Sequence, residues 1–97
     1  MVSREEVPDP QALPIVCRVN GKTLQDSNTK EMVFTVAQLV AFVSQSVALE
    51  PGDVILTGTP NGVGVFRDPQ VFLQPGDRTD VEVGDFGVLS NPVGSYM

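Results

Sequence analysis

Two pentapeptides constrain this chain more than any other feature: "LEPGD" at 49 to 53 and "LQPGD" at 73 to 77. Each places proline second and glycine third in a four-residue turn, the type II signature, in which the residue after proline takes a positive φ. A helix that runs into either one is stopped, so the chain is divided into short elements. Strand-like stretches follow both, "VILTG" and "TDVEV". The echo reads as two similar strand entries, and nothing else recurs that would make a repeat protein.

Between these stops the periods assign the elements. Residues 1 to 13 carry Pro8, Pro10 and mixed charge and read as an extended arm or loop. "PIVCRVNGKTLQ" reads as two strands about Asn20-Gly21, a strong hairpin-turn signal. Ile15, Cys17 and Val19 then share one face, with Arg18 on the other. "DSNTKE" reads as a polar loop. From Thr35 the period becomes helical, with Val36, Leu39, Val40, Val43 and Val47 on one stripe, and Thr35 and Gln38 spaced as a capping box. Phe34 and Leu39 are spaced as a hydrophobic staple. A helix is predicted from about Val36 to Ala48, its valines held by burial and its end set by Pro51 and Gly52. Val81 and Val83 alternate with Asp80 and Glu82 before a Gly84-Asp85 turn and a last strand, a C-terminal hairpin. Short strands and hairpins with one main helix make the fold mainly β, or α+β.

Composition narrows the chemistry. Ninety-seven residues with 41% hydrophobic side chains suit one domain, but such a chain buries only about 60 to 65% of its unfolded surface. Twelve acidic residues against 6 basic give net charge −6, and the basic residues are scattered singly. Nucleic acid and anionic membranes are therefore not expected as partners. The single cysteine, Cys17, excludes an intrachain disulfide and fits a reducing, intracellular compartment, where it reads as an inert core residue. No apolar run is long enough to span a bilayer, and "MVSREEVPDPQALP" is too acidic and proline-rich for a signal or transit peptide. A soluble, cytoplasmic chain is expected. With no histidine, the usual general base and the commonest metal ligand are both missing, and any chemistry rests on carboxylates, hydroxyls and backbone.

One stretch stands out as a candidate site. In "GDVILTGTPNGVG", at 52 to 64, an apolar run enters a turn holding Gly58, Gly62 and Gly64. The spacing is neither that of a P-loop nor that of a dinucleotide fingerprint. On its residues alone the simpler reading is a glycine-rich bend at a strand end. The other is a turn whose N–H groups face an anion. Asp77 and Asp85 fall in turns, and Asp80 and Glu82 on a solvent face, so these carboxylates read as a solvated hairpin edge with no metal site. Ser44 and Ser46 read as helix-surface residues, there being no histidine to activate them.

The blocks "VNG", "NTKEMVF", "LEPGDVILTGTPNGVG" and "FLQPGD…GVLSNPV", in that order, resemble the fumarylacetoacetate hydrolase family over nearly the whole chain. "CRVNG" and "GVGVFR" narrow the resemblance to one branch that includes bacterial members. The resemblance implies β-sheet layers with few helices, usually dimeric, acting on 2-oxo acids through bound Mg2+ or Mn2+. Family members cleave acylpyruvates, decarboxylate or isomerise related diacids, or interconvert the keto and enol forms of oxaloacetate. In all of them the ion chelates carboxylate and 2-oxo oxygens and stabilises an enolate. By the same resemblance the "TGTP" turn borders the substrate pocket and Thr57, Gly58 and Thr59 are its substrate-binding residues: Thr57 bonds the substrate carboxylate and Gly58 permits close approach of backbone. The family's metal ligands, a Glu-x-Glu pair and a later aspartate, and its catalytic lysine come before the matched segment, and no Glu-x-Glu occurs here. The chain thus resembles the C-terminal half of a catalytic domain. No catalytic residue or metal ligand is expected within it, and its partners are expected to be a 2-oxo acid together with a complementing N-terminal half or a second copy. The alternative is a scaffold or interaction module that kept the glycine turn without the reaction.

Overall fold

The computed structural model describes residues 2–95; Met1, the first residue of the expected arm, Tyr96 and Met97 lie outside them. Four strands, β1 (Pro14–Val19), β2 (Lys22–Asn28), β3 (Arg78–Val83) and β4 (Val88–Pro92), form one antiparallel sheet in the order β2-β1-β3-β4. The one α-helix among the described residues, α1, spans Val36–Ser44. Three short 3-10 turns, at Arg4–Glu6, Thr29–Glu31 and Gly64–Phe66, complete the regular structure among the described residues. This is the α+β class that the element pattern implies.

Local signals produce local structure. Asn20 (φ +52°) and Gly21 (φ +79°) both take the left-handed conformation, as a two-residue type I′ hairpin requires. Asn20 is fastened further, its Nδ2 donating to Asp77 Oδ1 and its Oδ1 accepting from Arg78 N, both at 2.9 Å. The two Pro-Gly-Asp pentapeptides fold alike. Asp53 N donates to Glu50 O at 3.1 Å and Asp77 N to Gln74 O at 3.0 Å. In both turns the aspartate Oδ2 accepts in return, at 2.8 Å, from the N–H three residues back. The capping box is complete: Gln38 N donates to Thr35 Oγ1 at 3.1 Å, and Thr35 N to Gln38 Oε1 at 2.8 Å.

Four expectations are corrected. "DSNTKE" is not all loop: Asp26, Ser27 and Asn28 continue β2 opposite Val16, Ile15 and Pro14, because the ladder with β1 outweighs their turn preference. The helix ends at Ser44 rather than Ala48. There Ser44 Oγ donates to Ala41 O at 2.8 Å, and Gln45 N and Ser46 N donate three residues back, tightening the last turn before the proline is reached. The stretch "VILTG" forms no strand: none of its backbone N–H groups meets a backbone acceptor among the described residues. A strand needs a neighbouring ladder, and this segment has none. Finally, Val40 and Val47 are exposed and Cys17 is only half-buried, so neither the helix valines nor the cysteine lie in a core.

That last correction is general, since none of the described residues is fully buried. Leu56 is 92% exposed, Val33 89% and Phe66 87%. The accessible surface, 7820 Å², exceeds by about 2,400 Å² the value for a compact monomer of this mass. The radius of gyration, 15.7 Å, likewise exceeds the roughly 12.5 Å of a compact domain of this length. No helix among the described residues is long and apolar enough to cross a membrane.

Candidate functional site

Register sorts the sheet into two faces. Ile15 lies opposite Val83, Cys17 opposite Val81, and Val81 opposite Leu89, which gives one apolar face. The other carries Arg18, Asp80 and Glu82, with Arg18 Nη1 donating to Glu82 Oε2 at 3.0 Å. The glycine-threonine turn lies against the apolar face, and there a cleft of about 670 Å³ opens. Its floor is Ile15 and Val83. One wall is the end of β2 and the residues after it, Ser27 to Thr29 and Glu31 to Phe34, with Leu39 of α1. Thr57 to Asn61 complete the lining.

Thr57, Gly58 and Thr59 therefore come together in one cleft, but they differ in kind. Thr59 Oγ1 is taken, accepting from Gln25 Nε2 at 2.7 Å, and the same amide nitrogen donates to Pro60 O at 2.9 Å. Thr57 also lines the cleft; it is exposed, and its hydroxyl has no hydrogen-bond partner among the described residues. At Gly58 (φ +91°) a Cβ would meet nothing within 4 Å, so glycine is demanded there by backbone conformation and not by crowding. Gly62 (φ +104°) is the crowded position: a Cβ there would collide with the Leu24 carbonyl. Gln25 and Arg67 fasten this turn; Arg67 ends the quoted string "GVGVFR", but nothing in that string tells that its side chain reaches back to β2, and Gln25 carries no motif signal.

The hairpin-edge carboxylates lie elsewhere. Asp77 accepts from Asn20 Nδ2 and Gln74 N, which hold its carboxyl below the usual range. Asp80 is held low chiefly by the Ser90 hydroxyl and secondarily by Arg78, whose Nε lies at 3.2 Å. Both act within the sheet and its turns, away from the cleft. Glu31 is the one carboxylate lining the cleft, and no three His, Cys, Asp or Glu side chains among the described residues are placed to hold a metal ion. A divalent cation needs more oxygen ligands than this, so these residues alone do not fit a metal centre.

The chain has counterparts among known proteins. The model for the C-terminal part of fumarylacetoacetate hydrolase matches residues 1–94. The chain belongs to the fumarylacetoacetate hydrolase family. Two relatives place it in the domain-containing protein 2 branch: oxaloacetate tautomerase FAHD2B, mitochondrial, of Homo sapiens and fumarylacetoacetate hydrolase domain-containing protein 2 of Pongo abelii. Each is 55% identical over 93 residues, covering 96% of this chain and 30% of its own length. The maleylpyruvate hydrolase of Sphingobium sp. SYK-6, solved with manganese(II) and pyruvate, superposes with a TM-score of 0.85 at 31% identity, covering 97% of this chain and 33% of its own. The chain thus spans about a third of the length of the family members it matches. The expectation of a cytoplasmic location does not stand, because the Homo sapiens and Bos taurus tautomerases are mitochondrial. One unpaired cysteine speaks to redox conditions and not to which membrane surrounds them.

Proposed function

We propose that this chain forms the carboxylate-holding wall of a 2-oxo-acid site of the oxaloacetate tautomerase kind, completed by a part of the domain outside these residues or by a second copy. The observation that carries the proposal is that Thr57 lines the cleft together with Ile15 and Val83 while its hydroxyl has no hydrogen-bond partner among the described residues. A short 2-oxo acid matches that layout, with a carboxylate oxygen accepting from Thr57 and its carbon chain over the floor. The cleft lining includes no lysine or arginine, and the chain carries net charge −6. An anionic substrate therefore needs positive charge from elsewhere. The uncovered surface supports the same conclusion, since about 2,400 Å² beyond a compact monomer is the scale of an obligate interface. The manganese(II) and pyruvate bound to the maleylpyruvate hydrolase support a metal in the completed site, its ligands drawn from outside this chain.

The test is a chimera in which this chain replaces the matching segment of the Homo sapiens tautomerase, with turnover followed by the ultraviolet absorbance of enol-oxaloacetate. Thr57→Val keeps the shape and removes the donor. Loss of a hydrogen bond to a charged group, about 1.5 to 3 kcal/mol, lowers kcat/KM by roughly tenfold to a hundredfold with folding unaltered. Unchanged efficiency would falsify the assignment and leave the turn a purely structural bend.

A further inference from the structure

We infer that Arg67 and Gln25 are positioning residues that fasten the 57–62 turn to an irregularity in β2 and thereby fix where the Thr57 hydroxyl sits; the catalytic side of this rests on the proposed role of Thr57. The irregularity is a β-bulge. Cys17 pairs with Gln25 but Arg18 pairs with Thr23, which leaves Leu24 an extra residue with no counterpart in β1. A bulged residue leaves backbone groups outside the ladder, and a half-buried carbonyl of this kind calls for a donor. Arg67 supplies it. Its Nη2 donates to Leu24 O while its Nε donates to Gly62 O at 3.0 Å, so one planar guanidinium ties the bulge to the glycine turn. The next residue of β2 repeats the arrangement, Gln25 Nε2 donating to Thr59 Oγ1 and Pro60 O.

These contacts matter because the turn has little restraint of its own. Residues 54 to 58 donate no backbone hydrogen bond among the described residues, so Thr57 hangs between the Asp53 turn and the fastened segment 59 to 62. Lysine at position 67 offers one point of charge in place of a fork and cannot hold the Leu24 and Gly62 carbonyls in the same geometry. Glutamate at 25 keeps the size of the side chain and turns the donor toward Thr59 and Pro60 into an acceptor.

Two measurements test the inference. In the chimera, Arg67→Lys and Gln25→Glu are expected to raise KM for oxaloacetate about tenfold with kcat within twofold, the pattern of lost ground-state holding, which a general loss of fold does not give. In the chimera the same changes are expected to lower the amide order parameters of residues 58, 59, 61 and 62 into the flexible range, below about 0.6, with β1 and β3 amides unchanged. If Thr57→Val weakens binding while Arg67→Lys and Gln25→Glu leave KM at the parent value, the positioning role is overturned and the Thr57 assignment stands. If Thr57→Val has no effect, the Thr57 assignment fails, and the order parameters decide the fastening alone: lowered values in the turn uphold it and unchanged ones overturn it.

Discussion

Gly58 and Gly62 sit in one turn with similar positive φ values, +91° and +104°, yet they should respond differently to the same added methyl group. A side chain in such a conformation costs about 1 to 3 kcal/mol in either place, so strain alone predicts equal effects. Their surroundings differ. A Cβ at Gly58 points into open space, whereas at Gly62 it overlaps the Leu24 carbonyl and lies 3.1 Å from Gln25 Cγ and 3.3 Å from Arg67 Nη2. The carbonyl belongs to backbone held between β2 and the guanidinium and has little room to retreat. Gly62→Ala must therefore push the turn away and lose at least one charge-assisted Arg67 bond, about 1.5 to 3 kcal/mol beyond the shared strain. Urea unfolding of the two chimera variants measures this as a lower midpoint for Gly62→Ala than for Gly58→Ala, at similar slope. Equal midpoints would refute the reasoning, for they would mean that the turn does not press on the β2 bulge at all.

Other outcomes follow from the same geometry. Asp77 and Asp80 have depressed carboxyl pKa values, so their contribution to stability is full above the unfolded value of about 3.9 and is lost as pH falls through the folded values. Urea midpoints of the chain should accordingly decline below about pH 4, and Asn20→Ala or Ser90→Ala, each removing the largest cause of one shift, should flatten that decline; an unchanged acid slope in both variants counts against the assigned causes. The exposed side chains Val33, Leu56 and Phe66 should drive self-association of the isolated chain, with a dimer or larger species in sedimentation at micromolar concentration; a monomer with cooperative unfolding throughout that range would show that the uncovered surface needs no partner.

How much was legible depends on the sequence distance over which each feature is decided. The Asn20-Gly21 hairpin, both Pro-Gly-Asp turns and the Thr35–Gln38 capping box are set within four residues, and all of them form as the sequence implies. The family, too, was legible, because its blocks are strings of adjacent residues. Where local signals and neighbours disagree, the neighbours win. "DSN" joins β2 because β1 offers a ladder, while "VIL", a better strand by composition, stays unpaired because nothing described lies beside it. At the candidate site Thr57, Gly58 and Thr59 stood out in the string, but not the division among them: one hydroxyl unpartnered, one committed to Gln25, and a glycine set by conformation alone. The sequence by itself determined the turns, the caps and the kinship; tertiary structure decided which face the turn lies on and what holds it. The bulge at Leu24 and the Arg67 fork join residues far apart in the chain, and the energy that selects such a pairing exists only once both ends meet.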